Sequence, residues 1–130
     1  AKGRVYEQPV ISLDIFATAT EAAKAPPVVR AGHNLDGVDL MPHLTGKTKA
    51  IPHEKLFWRQ DRRAALRMGE WKLLRNPRRG QPGEWQLYKL ANDTAEQNNL
   101  AAINRAKREE LLSVWRELNA EMADPFWKRN

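Results

Sequence analysis

Between Leu56 and Leu90 the chain changes rhythm, and this change restricts the fold more than any other feature of the sequence. Four short runs rich in aromatic and aliphatic residues follow one another: Leu56-Phe57-Trp58-Arg59, Ala64-Ala65-Leu66-Arg67-Met68, Trp71-Lys72-Leu73-Leu74-Arg75 and Trp85-Gln86-Leu87-Tyr88-Lys89-Leu90. Gly69-Glu70 parts the second run from the third, and the Pro- and Gly-dense stretch 76–83 parts the third from the fourth. Runs this short, joined by turn residues, predict an antiparallel meander of four strands. A single helical stripe follows. Leu111, Trp115, Leu118 and Met122 recur at i, i+4, i+7 and i+11, which predicts a helix over about 103–122 with one apolar face. Arg108, Glu109, Arg116 and Glu117 lie off that stripe, so the apolar side is free to cover one face of the sheet. Strands in the middle and helices at the flanks give an α+β class: a small four-stranded antiparallel sheet against a long C-terminal helix, preceded by an N-terminal helix and a connector.

The first half reads differently. Residues 1–11 are expected to be extended, with Pro9 disfavouring helix at Gln8. Ser12 is placed to cap a helix over 13–24, whose Leu13, Phe16, Ala17 and Thr20 share a face and which Pro26-Pro27 stops. A connector over 25–37 ends in the Asp36-Gly37 turn signal. Val38 to Leu44 predicts one or two helical turns closed by Gly46, and a polar loop runs to residue 54. Beyond the fourth strand, Asn92-Asp93-Thr94 reads as a turn, and the tail Asp124-Pro125-Phe126-Trp127 is expected to pack back by its aromatics.

With 130 residues the chain fits one domain or a subdomain of something larger. It has no cysteine, which excludes disulfides, thiolate metal sites and a cysteine-derived nucleophile. No run of 18 apolar residues is present, so no membrane helix is expected. No apolar stretch follows the N-terminus, so no signal peptide is expected within the chain. The net charge of +6 is local: residues 52–80 hold nine Lys and Arg against three acids, and the remainder is balanced. Such a region suits an anionic partner, or else a solvated hairpin whose basic side chains guard exposed strand edges.

Residues able to do chemistry are few. His33, His43 and His53 are ten apart, so no pair forms a helical metal face. Asp36 and Asp39 flank a turn and fit capping better than calcium, which needs many oxygen ligands. Ser12 and Ser113 stand outside any Gly-x-Ser-x-Gly elbow, and no Gly-rich phosphate loop occurs. The sequence therefore offers no catalytic residue and no metal site of its own.

The order of its motifs resembles the sulfatase family. Pro9-Val10-Ile11-Ser12-Leu13-Asp14-Ile15-Phe16, then Leu35-Asp36-Gly37-Val38-Asp39-Leu40-Met41-Pro42-His43-Leu44-Thr45-Gly46, Pro52-His53-Glu54 with Leu56-Phe57-Trp58-Arg59, Ala65-Leu66-Arg67-Met68-Gly69-Glu70-Trp71-Lys72-Leu73-Leu74, and Leu87-Tyr88-Lys89-Leu90 through Asn99-Leu100-Ala101 are each similar to a stretch of that family, in the same order. Ala17, Lys89 and Thr94 depart from it at positions expected to be surface or turn. The resemblance implies the C-terminal subdomain of a sulfate-ester hydrolase. On this reading 1–46 leads from an absent catalytic domain and 47–130 is the subdomain itself. The family's catalytic domain uses a formylglycine residue and calcium, and neither the formylglycine motif nor the calcium ligands has a counterpart here. The expected partners are that catalytic domain, in the same or a separate chain, and a sulfated substrate. The family's usual setting is periplasmic or secreted. A nucleic-acid partner is not expected, since no nucleic-acid motif is present. A homo-oligomer is an expectation if loss of a partner domain leaves an apolar face bare.

Within the subdomain, His53, Arg59, Arg62 and Arg63 are the residues expected to touch substrate. The guanidinium groups can take sulfate or carboxylate oxygens bidentately. Each has a plainer role beside this one: His53 capping local backbone, and Arg59 bridging to another domain. Arg78 and Arg79 lie in the Pro/Gly loop and are expected to be solvated. The competing class is a free-standing polyanion-binding or structural module, with Trp58 and Trp71 beside the basic strands.

Overall fold

The structure, a computed structural model, describes residues 3, 5–25, 35–78 and 83–123. These fall into two compact units, Ala1–Glu54 and Lys55–Asn130. The expected stop at Pro26-Pro27, His33, Arg79 and the aromatic tail from Asp124 to Trp127 lie outside the described residues.

The first unit holds α1 (Leu13–Ala22) and α2 (Met41–Leu44). Ser12 occupies the N-cap position of α1, but its side chain makes no capping bond. The cap comes from inside the helix instead: Asp14 Oδ2 accepts the Ile11 N–H at 2.9 Å. Segment 37–40 lies along the same helix face. Val38 N–H donates to Asp14 Oδ1 and Leu40 N–H to Thr18 Oγ1, both at 3.0 Å, and Asp14 and Thr18 are one turn apart. A Cβ on Gly37 would stand 2.2 Å from the Leu13 carbonyl oxygen and 2.8 Å from Asp14 N, so only glycine permits this approach. Gly37→Ala is therefore expected to push segment 37–40 off α1 at a cost of about 1–3 kcal/mol, read as a lowered midpoint in thermal unfolding. Asp39 Oδ1 accepts the Met41 N–H at 2.9 Å, which is the capping role its position suggested. Gly46 follows α2 at φ +77°, closing the turn as expected.

The second unit is the meander. Strands β1 (Lys55–Gln60), β2 (Arg63–Met68), β3 (Trp71–Arg75) and β4 (Trp85–Lys89) pair antiparallel in sequence order. Both two-residue turns begin with a positive φ, at Asp61 (53°) and at Gly69 (55°). Leu66, Leu73 and Leu87 stand in register across three strands, and all three are fully buried. Helix α3 (Arg105–Ala120) lays Leu111, Leu112 and Trp115 over them. Trp115 stacks on Phe57 with ring centroids 5.9 Å apart and meets Trp85 edge-on at 5.0 Å. Met122, expected on the apolar stripe, lies past the end of α3 and is exposed; Leu112, off that stripe, is buried instead. The outer edge of β4 is covered: Leu87 N–H donates to Asn99 Oδ1 at 3.1 Å, and Leu87 O accepts the Leu100 N–H at 2.8 Å.

Candidate functional site

The first unit has an inverted helix at its centre. Asp14 is fully buried and Ala17 nearly so, whereas Leu13, Ile15 and Phe16 of α1 are exposed at 51%, 71% and 57%. Val5, Val10, Met41, Leu44 and Ile51 of the same unit are also exposed. A helix that buries an aspartate and turns its large apolar residues outward shows a surface that water does not favour.

His53 is committed within this unit. Its Nε2 lies 2.8 and 2.9 Å from the two oxygens of Asp14, so Nε2 carries the proton that is shared there. Burial of Asp14 works to raise its pKa. The amides of Ile11 and Val38 and the His53 ring outweigh that effect and hold the carboxyl below its ordinary range.

The three arginines belong to the second unit, so no one unit gathers all four expected residues. Arg59 Nη1 donates to Asn119 Oδ1 at 2.9 Å, and Nη2 donates to the Ala123 carbonyl, tying β1 to the end of α3. Arg62 and Arg63 are exposed, and neither side chain has an ion-pair or hydrogen-bond partner among the described residues. Arg75 caps this end of the sheet. Its guanidinium lies 4.8 Å from the Trp85 ring and 5.5 Å from the Trp115 ring, and its Nε donates to the Arg62 carbonyl. Neither this role for Arg75 nor the burial of Asp14 could be read from local pattern, because both depend on partners remote along the chain.

The tryptophans divide by face. Trp71, Trp85 and Trp115 pack into the core between α3 and the sheet. Trp58 does not: it is 39% exposed on the opposite side of the sheet. There it lines a cleft of about 750 Å³ with Ala65, Arg67, Lys72 and Glu96, the last two forming an ion pair. Among the described residues no three His, Asp or Glu side chains converge to hold a metal ion, so the calcium that the resemblance implies has no fitting ligand set among them. None of the described helices is long and apolar enough to cross a membrane.

No protein-family model matches the chain. An uncharacterized sulfatase of Schizosaccharomyces pombe is 29% identical over 126 residues, which is 90% of this chain and 22% of the relative. Human steryl-sulfatase is 40% identical over 55 residues, covering 42% of this chain and 9% of that enzyme. The chain thus spans about a fifth or less of these relatives. Among solved structures, Ps i-CgsB in complex with k-i-k-neocarrahexaose superposes with a TM-score of 0.69 at 25% identity, over 92% of this chain and 26% of that one. The phosphonate monoester hydrolase of Agrobacterium radiobacter superposes with a TM-score of 0.64, also at 25% identity and with the same coverage. A relative named as a sulfatase matches most of the chain, and the chain's four-stranded sheet and terminal helix recur in solved structures over about a quarter of their length, which is consistent with a sulfatase C-terminal subdomain.

Proposed function

We propose that the chain works as the C-terminal portion of a sulfate-ester hydrolase, packing on a catalytic domain through the outward face of α1 and helping to wall the substrate cleft. The observation that carries this reading is the inverted helix. Leu13, Ile15 and Phe16 form a surface that needs a cover, and the Schizosaccharomyces pombe relative is four to five times longer than the part this chain matches. The calcium and the formylglycine belong, on this reading, to that catalytic domain. His53 and Arg59 then act by positioning, since each is bonded to its own unit. Arg62 and Arg63 are the exposed side chains open to a sulfate, and a subdomain taken to begin at residue 47 would contain both.

The test uses the chain joined to, or co-purified with, its catalytic partner. The double substitution Arg62→Gln/Arg63→Gln is expected to raise KM for a sulfated substrate about tenfold with the melting temperature unchanged. Unchanged turnover at every substrate concentration would assign the two arginines no substrate role. The chain alone is expected to bind a hydrophobic dye and to self-associate, as measured by dye fluorescence and sedimentation. A dye-silent monomer would speak against the uncovered face.

A further inference from the structure

Strand alternation puts Phe57 against α3 and Trp58 on the opposite face of the sheet. In register across from Trp58 stands Ala65, whose methyl group gives the indole no cross-strand partner. Two residues either way along β2 on the same face are Arg63 and Arg67, diagonal neighbours about 7–8 Å from Trp58 and within reach of it. Neither arginine has an acidic partner among the described residues; Arg67 Nε donates only to the Gly69 carbonyl, at 3.2 Å. Nor are they edge guards. β2 is an inner strand, paired on both sides, so cations there protect no free edge. An exposed indole therefore stands between two guanidinium groups that form no ion pair among the described residues, beside a Lys72–Glu96 pair and a Glu70 that is itself paired with Lys89.

We propose that this face of the sheet is a groove for an anionic oligosaccharide, with Trp58 stacking on one sugar ring and Arg63 and Arg67 holding sulfate groups on either side. Four residues along a strand separate the arginines by about 13 Å, a span that exceeds one sugar ring and suits a chain of them. A small aryl ester would engage the indole and one arginine only. A single-stranded nucleic acid is served by successive aromatic platforms, and Trp71, Trp85 and Trp115 lie on the other face of the sheet. The groove deepens the reading of the chain as part of a sulfatase, on which the choice of sulfate as the anion rests.

The 130-residue chain is titrated with a heparin-derived hexasaccharide, with its desulfated counterpart and with a single-stranded oligonucleotide, following Trp fluorescence and heat. The sulfated hexasaccharide is expected to bind, to weaken by about tenfold or more in Trp58→Ala and in Arg67→Gln with the melting temperature held, and to bind better than both controls. No binding, equal binding of the desulfated sugar or the oligonucleotide, or binding unmoved by both substitutions would overturn the groove. Because no catalysis is measured, such a failure leaves the hydrolysis reading intact. Conversely, a groove that binds beside a catalytically silent complex would overturn the hydrolysis reading alone.

Discussion

Replacing Trp115 with alanine is expected to remove a large part of the stability of the sheet-and-helix unit. The side chain is buried, stacks on Phe57, meets Trp85 edge-on and lies under the Arg75 guanidinium. Truncating a buried tryptophan costs about 3–5 kcal/mol, against a total of roughly 5–15 kcal/mol for a whole domain. The aromatic pairs add about 0.5–1.5 kcal/mol each. Two companions on the same helix calibrate the result. Leu118→Ala should cost less, since that side chain is only partly buried. Met122→Ala, past the helix end and exposed, should stay within about 0.5 kcal/mol. Urea unfolding followed by far-UV circular dichroism would order the three. Equal losses at Trp115 and Met122 would contradict the placement of the helix.

The second large effect belongs to Asp14. Its carboxylate accepts from the amides of Ile11 and Val38 and from His53, and so joins the entry to α1, the segment after Gly37 and the loop before the sheet. Asp14→Ala leaves two amides and an imidazole without their acceptor. The expected loss is about 3–5 kcal/mol, confined to the first unit. The same bonds set a pH dependence. The folded pKa is lowered, so the stabilisation is complete well above the ordinary value of 3.8 and is lost as pH falls through that value towards the folded pKa. His53 is the titratable group that faces this carboxylate. Wild-type stability of the first unit should therefore fall steeply below about pH 4, while Asp14→Ala should show a shallower fall from a lower start. Parallel curves for the two proteins would remove Asp14 as the cause.

The meander and α3 were legible because their information is local. Period-two runs, Gly69 at a turn and the i, i+4 spacing of Leu111 and Trp115 each act within a few residues of themselves. What stayed hidden was decided by distant partners. Asp14 looks like an ordinary first-turn acid until Val38 and His53 arrive from 24 and 39 residues away. Leu13 and Phe16 carry a proper helical stripe, and periodicity identifies that stripe without telling which way it faces. Trp58 and Phe57 are adjacent aromatics, and only the strand register separates the buried one from the exposed one. Among the four residues expected to meet substrate, spacing brought out the basic character of the strands. It could not show that His53 and Arg59 already hold partners while Arg62 and Arg63 have none among the described residues.

The measurement that bears most directly on the central claim is native mass spectrometry of the chain purified under mild conditions, combined with an aryl sulfate assay on each species. A complex is predicted between this chain and a larger polypeptide bearing a Cys/Ser-x-Pro/Ala-x-Arg motif, with sulfate release from the complex and none from the chain alone. Sulfate release by the isolated chain, or a lone monomer that binds no hydrophobic dye and no such partner when supplied, would contradict the reading of this chain as the C-terminal portion of a sulfatase.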